Sequence, residues 1–224
     1  MTEDLSRIEF AENPDPRCPC VLLLDVSSSM QGEPIKALNE GLRAFQVDVS
    51  KDSVASRRVE VAIVTFGTGA RIVQDFVTVD QFVAPELVAG GQTHTGRGLE
   101  TALDLVESRK AAYRSNGVAY YRPWIFMITD GSPYGEEDSA VEAARARLLG
   151  EQRSNKVAFF AVGTESANFT KLSTFTMPDR PPLQLKGVQF VELFVWLSRS
   201  TQAVAQSKPG EQVPLPPPTG WTAV

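Results

Sequence analysis

The chain has 224 residues and a mass of 24.4 kDa, which suits one α/β domain or one domain with a tail. Hydrophobic residues make up 42% of the sequence, enough for a sizeable core, so we do not expect a disordered chain. The 22 Lys and Arg residues are outnumbered by 27 Asp and Glu residues, and the net charge is -5. Nucleic acid is therefore not an expected partner, because binding to phosphate backbones requires a concentrated basic patch.

Residues 1–16 are polar and acidic, without a basic start followed by an apolar run, so we expect no signal peptide. No stretch of about 18 apolar residues occurs, which predicts no membrane span. The only cysteines are Cys18 and Cys20, and the sole histidine, His94, is far away in sequence. A zinc site within one chain is not expected, because it needs about four N or S ligands. We expect two reduced thiols at the start of a buried strand and a cytoplasmic location.

Apolar runs of strand length alternate with helical patterns along the chain. The first run, residues 21–24, is continuously apolar and ends at Asp25, which is typical of a strand buried on both faces. After Pro34, apolar residues recur at helical spacing through Phe45. Further strands are predicted at 59–66, Trp124–Thr129 and 157–162, an antiparallel edge strand at 70–79, and helices near 96–113, 140–149, 168–175 and 188–205. This alternation predicts an α/β fold: a doubly wound, mostly parallel sheet with one antiparallel edge strand and helices on both faces.

The composition changes at Lys208, after which Pro209, Pro214 and residues 216–218 exclude a helix or the centre of a sheet. We divide the chain into an N-terminal extension (1–17), a domain (18–207) and a Pro-rich tail (208–224). The tail is either disordered or laid extended along the domain and pinned by Trp221.

Polar side chains follow two of the predicted parallel strands and precede a helix. Asp25, Ser27 and Ser29 come directly after the first strand, Thr93 lies before the helix near 96–113, and Asp130 ends the strand Trp124–Thr129. Alternation in an extended segment places the first three side chains on one face. Ligands of open α/β sheets bind at the carboxyl ends of the strands, where these residues lie. An oxygen-only ligand set favours Mg²⁺, with Mn²⁺ or Ca²⁺ also compatible.

These five positions resemble the metal-ion-dependent adhesion site of von Willebrand factor A domains, over about residues 18–205. The resemblance rests on Asp25-x-Ser27-x-Ser29, on Thr93 in Gly-Gly-Gln-Thr-His-Thr-Gly and on Asp130 in Ile-Thr-Asp-Gly. It implies that Ser27, Ser29 and Thr93 contact the metal directly, while Asp25 and Asp130 act partly through water. A neighbouring hydroxyl, Thr95, is the alternative to Thr93, which sits where the family's ligand usually does.

The Cys-Pro-Cys entry to the first strand, the chain length and the Pro-rich end near Trp221 also resemble the bacterial TerY-like proteins of tellurite-resistance and stress-response clusters. This resemblance implies a cytoplasmic scaffold or regulator, associated with kinase- or phosphatase-like proteins. A partner Glu or Asp would fill the open coordination position of the metal, in a charge-assisted contact that depends on the ion.

Two alternatives to metal-dependent partner binding are an Mg²⁺-dependent phosphohydrolase and a scaffold that acts mainly through its Pro-rich tail. Against the enzyme, Ser27 stands where haloacid-dehalogenase-like phosphatases have an acid–base Asp. The sequence also lacks a phosphate-binding P-loop and a Gly-x-Ser-x-Gly elbow. We therefore expect no catalysis.

Several residues near these motifs have ordinary structural explanations. Ser27 and Ser29 are also suited to capping a helix, and Asp130-Gly131 to forming a turn. We expect His94 to be solvated or bonded to backbone. Arg71, Arg97 and Arg122 are predicted surface charges, and Phe190, Phe194 and Trp196 are predicted to pack in the core or against the tail.

Overall fold

A computed structural model describes residue 10 and residues 12–222. From residue 18 to the end of the described part of the chain, six strands and six helices follow one another, with two short 3-10 helices at Ser28–Met30 and Val79–Gln81. The strands are β1 (Cys18–Asp25), β2 (Val59–Gly67), β3 (Gly69–Thr78), β4 (Trp124–Thr129), β5 (Ala158–Gly163) and β6 (Leu183–Gln184). The helices are α1 (Glu33–Val49), α2 (Ala55–Arg58), α3 (Thr95–Ser115), α4 (Asp138–Arg153), α5 (Phe169–Ser173) and α6 (Phe190–Ala205).

The strands form one sheet in the order β3-β2-β1-β4-β5-β6. Every neighbouring pair is parallel except β2 and β3, which form an antiparallel hairpin at one edge. The chain first adds β2 and β3 on one side of β1. It then crosses back and adds β4, β5 and β6 on the other side, so the strand order reverses between β1 and β4. This sheet confirms the predicted doubly wound fold, and it places the ends of β1 and β4 side by side at the crossover.

Alternating side chains of the buried strands supply two separate hydrophobic cores. In β1, Leu22 and Leu24 point to one face, whereas Val21 and Leu23 point to the other. Helices α1 and α6 cover the first face, and α3 and α4 cover the second. Every residue of β1, β2, β4 and β5 is buried, which explains why these strands read as continuous apolar runs.

The predicted elements are all present, and the differences lie at their ends and in two short additions. Helix α4 begins before and ends after the predicted 140–149, and α3 begins at Thr95. The two-residue strand β6 and the four-residue helix α2 were not predicted. Elements this short contain too few residues for a period of 2 or 3.6 to be visible.

The Pro-rich tail lies along the domain and is anchored by Trp221, the second of the two predicted arrangements. The Trp221 side chain is fully buried, and its ring centroid lies 5.3 Å from that of Trp196 in α6. The indole Nε1 of Trp196 donates to the carbonyl of Pro216 at 2.8 Å. The backbone N–H of Lys186 donates to the carbonyl of Trp221 at 2.8 Å. Tail and domain therefore share one core.

A buried charged cluster joins the N-terminal segment to the opposite end of the sheet from the predicted metal site. Glu60, near the start of β2, accepts hydrogen bonds from Arg17 Nε at 2.8 Å and from Arg109 Nε at 2.7 Å. The Tyr113 hydroxyl also donates to Glu60. The guanidinium groups of both arginines stack on the ring of Phe10. The predicted extension, where it is described, is thus fastened to the domain.

Arg122 is not the surface charge predicted for it, although Arg71 and Arg97 are exposed. Its side chain is half-buried, and Nη2 donates to the carbonyls of Val157 at 2.6 Å and Gln152 at 3.3 Å. Burial, followed by the charge of Arg180, lowers the pKa of the guanidinium. Arg122 therefore ties the end of α4 to the segment that enters β4.

The predicted positions of the α6 aromatic residues and of the two cysteines agree with the packing. Three aromatic residues of α6, Phe190, Phe194 and Trp196, are buried in the hydrophobic core of the domain. The tail lies against Trp196. Cys18 and Cys20 are free thiols at the start of β1, both buried. In the described residues, no helix combines the length and the apolar composition that crossing a membrane requires.

Candidate metal centre

Three loops meet at the carboxyl edge of the sheet, and together they hold the five predicted ligands. Asp25 is the last residue of β1, and Ser27 and Ser29 follow it in a turn that leads into α1. Asp130 follows β4, the neighbour of β1 in the sheet. Thr93 lies two residues before α3. Because β1 and β4 are parallel and adjacent, their ends bring two carboxylates to the same point.

Hydrogen bonds link four of the five side chains or their backbone groups. Asp25 Oδ1 accepts from the backbone N–H of Ser27 at 2.8 Å. The hydroxyls of Ser27 and Ser29 lie 3.0 Å apart, and Ser29 Oγ donates to Asp130 Oδ1 at 2.8 Å. The serines thus bridge the two carboxylates. Asp25, Ser27 and Asp130 are buried, whereas Ser29 is exposed, so the group opens to solvent on the Ser29 side.

Thr93 is held against both other loops through backbone bonds. Its N–H donates to the carbonyl of Tyr134 at 3.1 Å, and the N–H of Tyr134 donates back to Thr93 at 3.0 Å. On the other side, the N–H of Ser28 donates to the carbonyl of Gly91 at 3.1 Å. No side-chain hydrogen bond joins Thr93 to the other four residues within the described chain. Thr95 begins α3, and its N–H donates to the carbonyl of Thr93 at 3.0 Å.

The two carboxylates stand in surroundings that disfavour their charge. Burial raises the pKa of Asp25, and the charge of Asp130 raises it further, while hydrogen bonds from Ser27 and Thr129 lower it. Burial also raises the pKa of Asp130 against the hydrogen bond from Ser29. No positively charged side chain of the described residues is among the groups that shift the pKa of either carboxyl group. A bound cation would supply the missing positive charge and favour the ionised carboxylates.

The donor set fits a hard divalent cation. It consists of two carboxylates and the hydroxyls of Ser27, Ser29 and Thr93, all oxygen atoms, of the kind preferred by Mg²⁺ and Ca²⁺. Among the residues that the structure describes, no three His, Cys, Asp or Glu side chains are grouped as a metal site. An ion at this edge would therefore depend on hydroxyl ligands as well as on the two carboxylates.

Two side chains that support the group were not among the predicted site residues. Thr129 Oγ1 donates to Asp25 Oδ2 at 2.6 Å, so both oxygens of this carboxylate are held. Glu136 accepts from the backbone N–H groups of Gly96 and Arg97, each at 2.8 Å, and so caps α3 beside Thr93. Thr129 could have been suspected from its hydroxyl at the end of an apolar strand. Nothing local in the sequence distinguishes Glu136 from the acids beside it.

His94 is bonded to backbone, as predicted. Its Nδ1 accepts from the N–H of Gly69 at 2.9 Å, which leaves the proton on Nε2 to donate to Gln92 Oε1 at 2.8 Å. Both ring nitrogens are therefore engaged in holding the β2–β3 turn against the Thr93 loop.

The family model of the von Willebrand factor type A domain matches residues 20–185. The chain belongs to the von Willebrand factor type A (VWA) domain family. The match begins within β1 and ends just after β6, so it includes all five positions of the candidate metal centre. No curated protein matches the sequence.

Solved structures similar to this VWA domain share its fold at low sequence identity. A von Willebrand factor type A structure from Catenulispora acidiphila is 17% identical, with a TM-score of 0.61, over 84% of this chain and 43% of the other. Proximal thread matrix protein 1 from the mussel byssus, with zinc in its MIDAS motif (metal-ion-dependent adhesion site), is 16% identical, with a TM-score of 0.58. The alignment covers 84% of this chain and 48% of the mussel protein. The pilus adhesin SpaC of Lactobacillus rhamnosus GG, in its open conformation, is 14% identical, with a TM-score of 0.66. The alignment covers 86% of this chain and 31% of the adhesin. The chain spans less than half the length of these proteins.

Proposed function

We propose that this VWA domain binds a partner protein through a divalent cation held at the carboxyl edge of its sheet. The cation we propose first is Mg²⁺. The observation that carries the proposal is the hydroxyl bridge between two buried carboxylates, in which Ser29 donates to Asp130 and contacts Ser27. A buried pair of like charges without a protein cation is costly unless a positive charge is added. The zinc-occupied MIDAS motif of the mussel protein supports a metal at this place in the fold.

Each residue of the group has a separate task in the proposed site. Ser27, Ser29 and Thr93 present neutral oxygens to the ion, while Asp25 and Asp130 provide negative charge, partly through water. Thr129 and the N–H of Ser27 hold the Asp25 carboxylate in place. The exposed side of Ser29 leaves room for an outside ligand. When bound, the cation would supply a positive charge and an open position for a carboxylate oxygen of the partner.

We propose binding rather than catalysis. The position two residues after Asp25 is Ser27, and a serine hydroxyl is a poor general acid or base near neutral pH. His94 uses one ring nitrogen on Gly69 and the other on Gln92. The alternative in which the Pro-rich tail acts as a free scaffold element is weakened by the burial of Trp221 and by the contact of Pro216 with Trp196.

We further propose a cytoplasmic scaffold or regulator in a stress-response system, with kinase- or phosphatase-like partners. Support comes from the resemblance to TerY-like proteins in the Cys-Pro-Cys entry and the Pro-rich end. Affinity purification of the protein from its own cells with Mg²⁺ present, and again with EDTA, tests this. Kinase- or phosphatase-like proteins in the Mg²⁺ sample alone would support it.

The metal site is tested by thermal unfolding of metal-stripped protein with increasing Mg²⁺, Mn²⁺ or Ca²⁺. A cation supplied at about ten times its Kd adds about 1.4 kcal/mol of stability. For a domain of this size, the melting temperature should rise by about 3–6 °C. The rise should vanish in Asp130→Asn and Ser29→Ala and persist in Asp80→Asn, an exposed acid beyond the far end of β3. Equal rises in all four proteins would refute the site.

A further inference from the structure

A cavity of about 290 Å³ lies at the β6 edge of the sheet, between the domain and the Pro-rich tail. Its walls come from β5, from β6 and the segment before it, from α6 and from the tail, and they include Phe160, Arg180, Leu183, Trp196, Leu215 and Pro217. All of these except Arg180 present aromatic or hydrocarbon surface. Trp196 Nε1 donates to the carbonyl of Pro216 at 2.8 Å, which fixes the tail wall against α6. The cavity is therefore a built part of the folded domain.

Arg180 gives this cavity a positively charged wall. Its guanidinium lies over the ring of Phe160, with Cζ 5.3 Å from the ring centroid, and its side chain is only 25% exposed. Asp179, which also lines the cavity, has its Oδ2 3.7 Å from Arg180 Nη2, too far for a hydrogen bond. The Asp179 side chain is 72% exposed, so water solvates the acid while the base faces the protein. Asp179 therefore compensates the charge of Arg180 poorly.

Two buried guanidinium donors in this region lack a hydrogen-bond acceptor within the described protein. They are Nη1 of Arg180 and Nε of Arg122. The two arginines are close enough for the charge of Arg180 to lower the pKa of Arg122. Buried donors in proteins are nearly always paired, and neighbouring like charges raise the cost of burial. Both features favour a negatively charged oxygen ligand beside Arg180.

We propose that this cavity binds a small carboxylic acid with an aromatic body of one or two rings, whose carboxylate pairs with Arg180. One carboxylate matches one guanidinium fork, whereas a doubly charged phosphate would meet twice the repulsion from Asp179. The volume limits the body, because a cavity of about 150 Å³ holds benzene and about twice that volume suits a bicyclic ring. Phe160 and Trp196 provide the aromatic faces for it. No residue of the candidate metal centre lines the cavity, so this site is independent of the proposed function.

The test compares 2-naphthoate with 2-naphthamide, which has nearly the same size and shape but no charge. Isothermal titration calorimetry of the full chain in EDTA gives both Kd values while the candidate metal centre is kept free of cations. We expect naphthoate to bind at least about tenfold more tightly, because a charge-assisted hydrogen bond is about twice as strong as a neutral one. This preference should disappear in Arg180→Gln, with the affinity for naphthamide little changed. It should persist in Arg71→Gln, which removes an exposed arginine from β3 at the opposite edge of the sheet.

A second pair of variants locates the site. Leu183→Trp places a larger side chain in the wall of the cavity and should bind neither compound. Ile72→Trp, which enlarges an exposed side chain of β3, should bind both compounds as the unchanged protein does. Circular dichroism and the melting temperature verify that each variant is folded. Equal affinity for the two compounds, no binding of either, or a preference for naphthoate that survives Arg180→Gln would overturn the proposal. Undiminished binding of naphthoate by folded Leu183→Trp would overturn it as well.

Discussion

Replacing Trp221 with alanine tests whether the Pro-rich tail is an integral part of the folded domain. The side chain is fully buried, and its ring packs 5.3 Å from that of Trp196, within the core that α1 and α6 share with the sheet. A disordered tail, the other arrangement predicted from the sequence, would instead leave the stability of the domain unaffected by a change at residue 221.

The size of the effect follows from two opposing contributions. Truncating a buried Trp to Ala costs about 3–5 kcal/mol. Against this, the indole Nε1 of Trp221 is buried without a hydrogen-bond partner in the described structure, and relieving an unsatisfied donor returns about 1–3 kcal/mol. We expect a net loss of about 2 kcal/mol in the free energy of unfolding. For a domain of this size, the melting temperature should fall by about 4–8 °C.

Urea unfolding followed by circular dichroism measures this loss, with Trp221→Phe and Thr219→Ala as companions. The phenylalanine variant keeps an aromatic ring and removes the unpaired N–H, so it should lose less than half as much stability. Thr219 is exposed in the same tail, and its change should be neutral. If Trp221→Ala shifts neither the urea midpoint nor the melting temperature, the tail contributes nothing to the fold and our reasoning about the shared core is wrong.

Three further predictions concern the cores. Burial and the charge of Glu60 raise the pKa of the Cys18 thiol to about 12, well above the roughly 8.5 of an unfolded cysteine. The neutral thiol's contribution to stability is therefore full below about pH 8.5 and is lost as the pH rises toward 12. The urea midpoint of Cys18→Ala should consequently fall less steeply with rising alkaline pH than that of the unchanged protein. Glu60→Gln should cost about 3–5 kcal/mol in urea unfolding, since it removes the counter-charge of two arginines; a loss below about 1 kcal/mol would contradict the cluster's role. Gly98→Ala should lower the melting temperature, because its Cβ would lie 2.9 Å from Phe66 Cβ and overpacking costs about 1–3 kcal/mol. Gly150→Ala, with open space around it in α4, should raise the melting temperature, and the same sign for both would refute the packing argument.

The order of strands and helices could be predicted because each buried strand carries its own signal. Residues 21–24 are continuously apolar since both faces of β1 are covered by helices. The candidate metal residues could also be placed, because Asp25 and Asp130 end two apolar runs and parallel strands end at one edge. Their hydrogen-bonded arrangement is seen in the structure, whereas their role as metal ligands stays a prediction.

Other features could not be predicted because they depend on contacts between distant segments. The cluster of Arg17, Glu60 and Arg109 joins residues 43 and 49 positions apart, and each is an ordinary charged residue in its local sequence. The half-burial of Arg122 likewise depends on carbonyls of α4 and of the segment before β5.

The sequence by itself determined the fold class and the edge of the sheet where a metal would bind, because hydrophobic periodicity and strand direction are local properties with a single consistent arrangement. Only the tertiary structure decided that the tail is folded onto α6, that Thr129 holds Asp25, and that Glu60 joins Arg17 and Arg109 in one buried cluster. Each of these depends on which segments become neighbours, and proximity in space is set by the packing of the whole chain rather than by any short stretch of it.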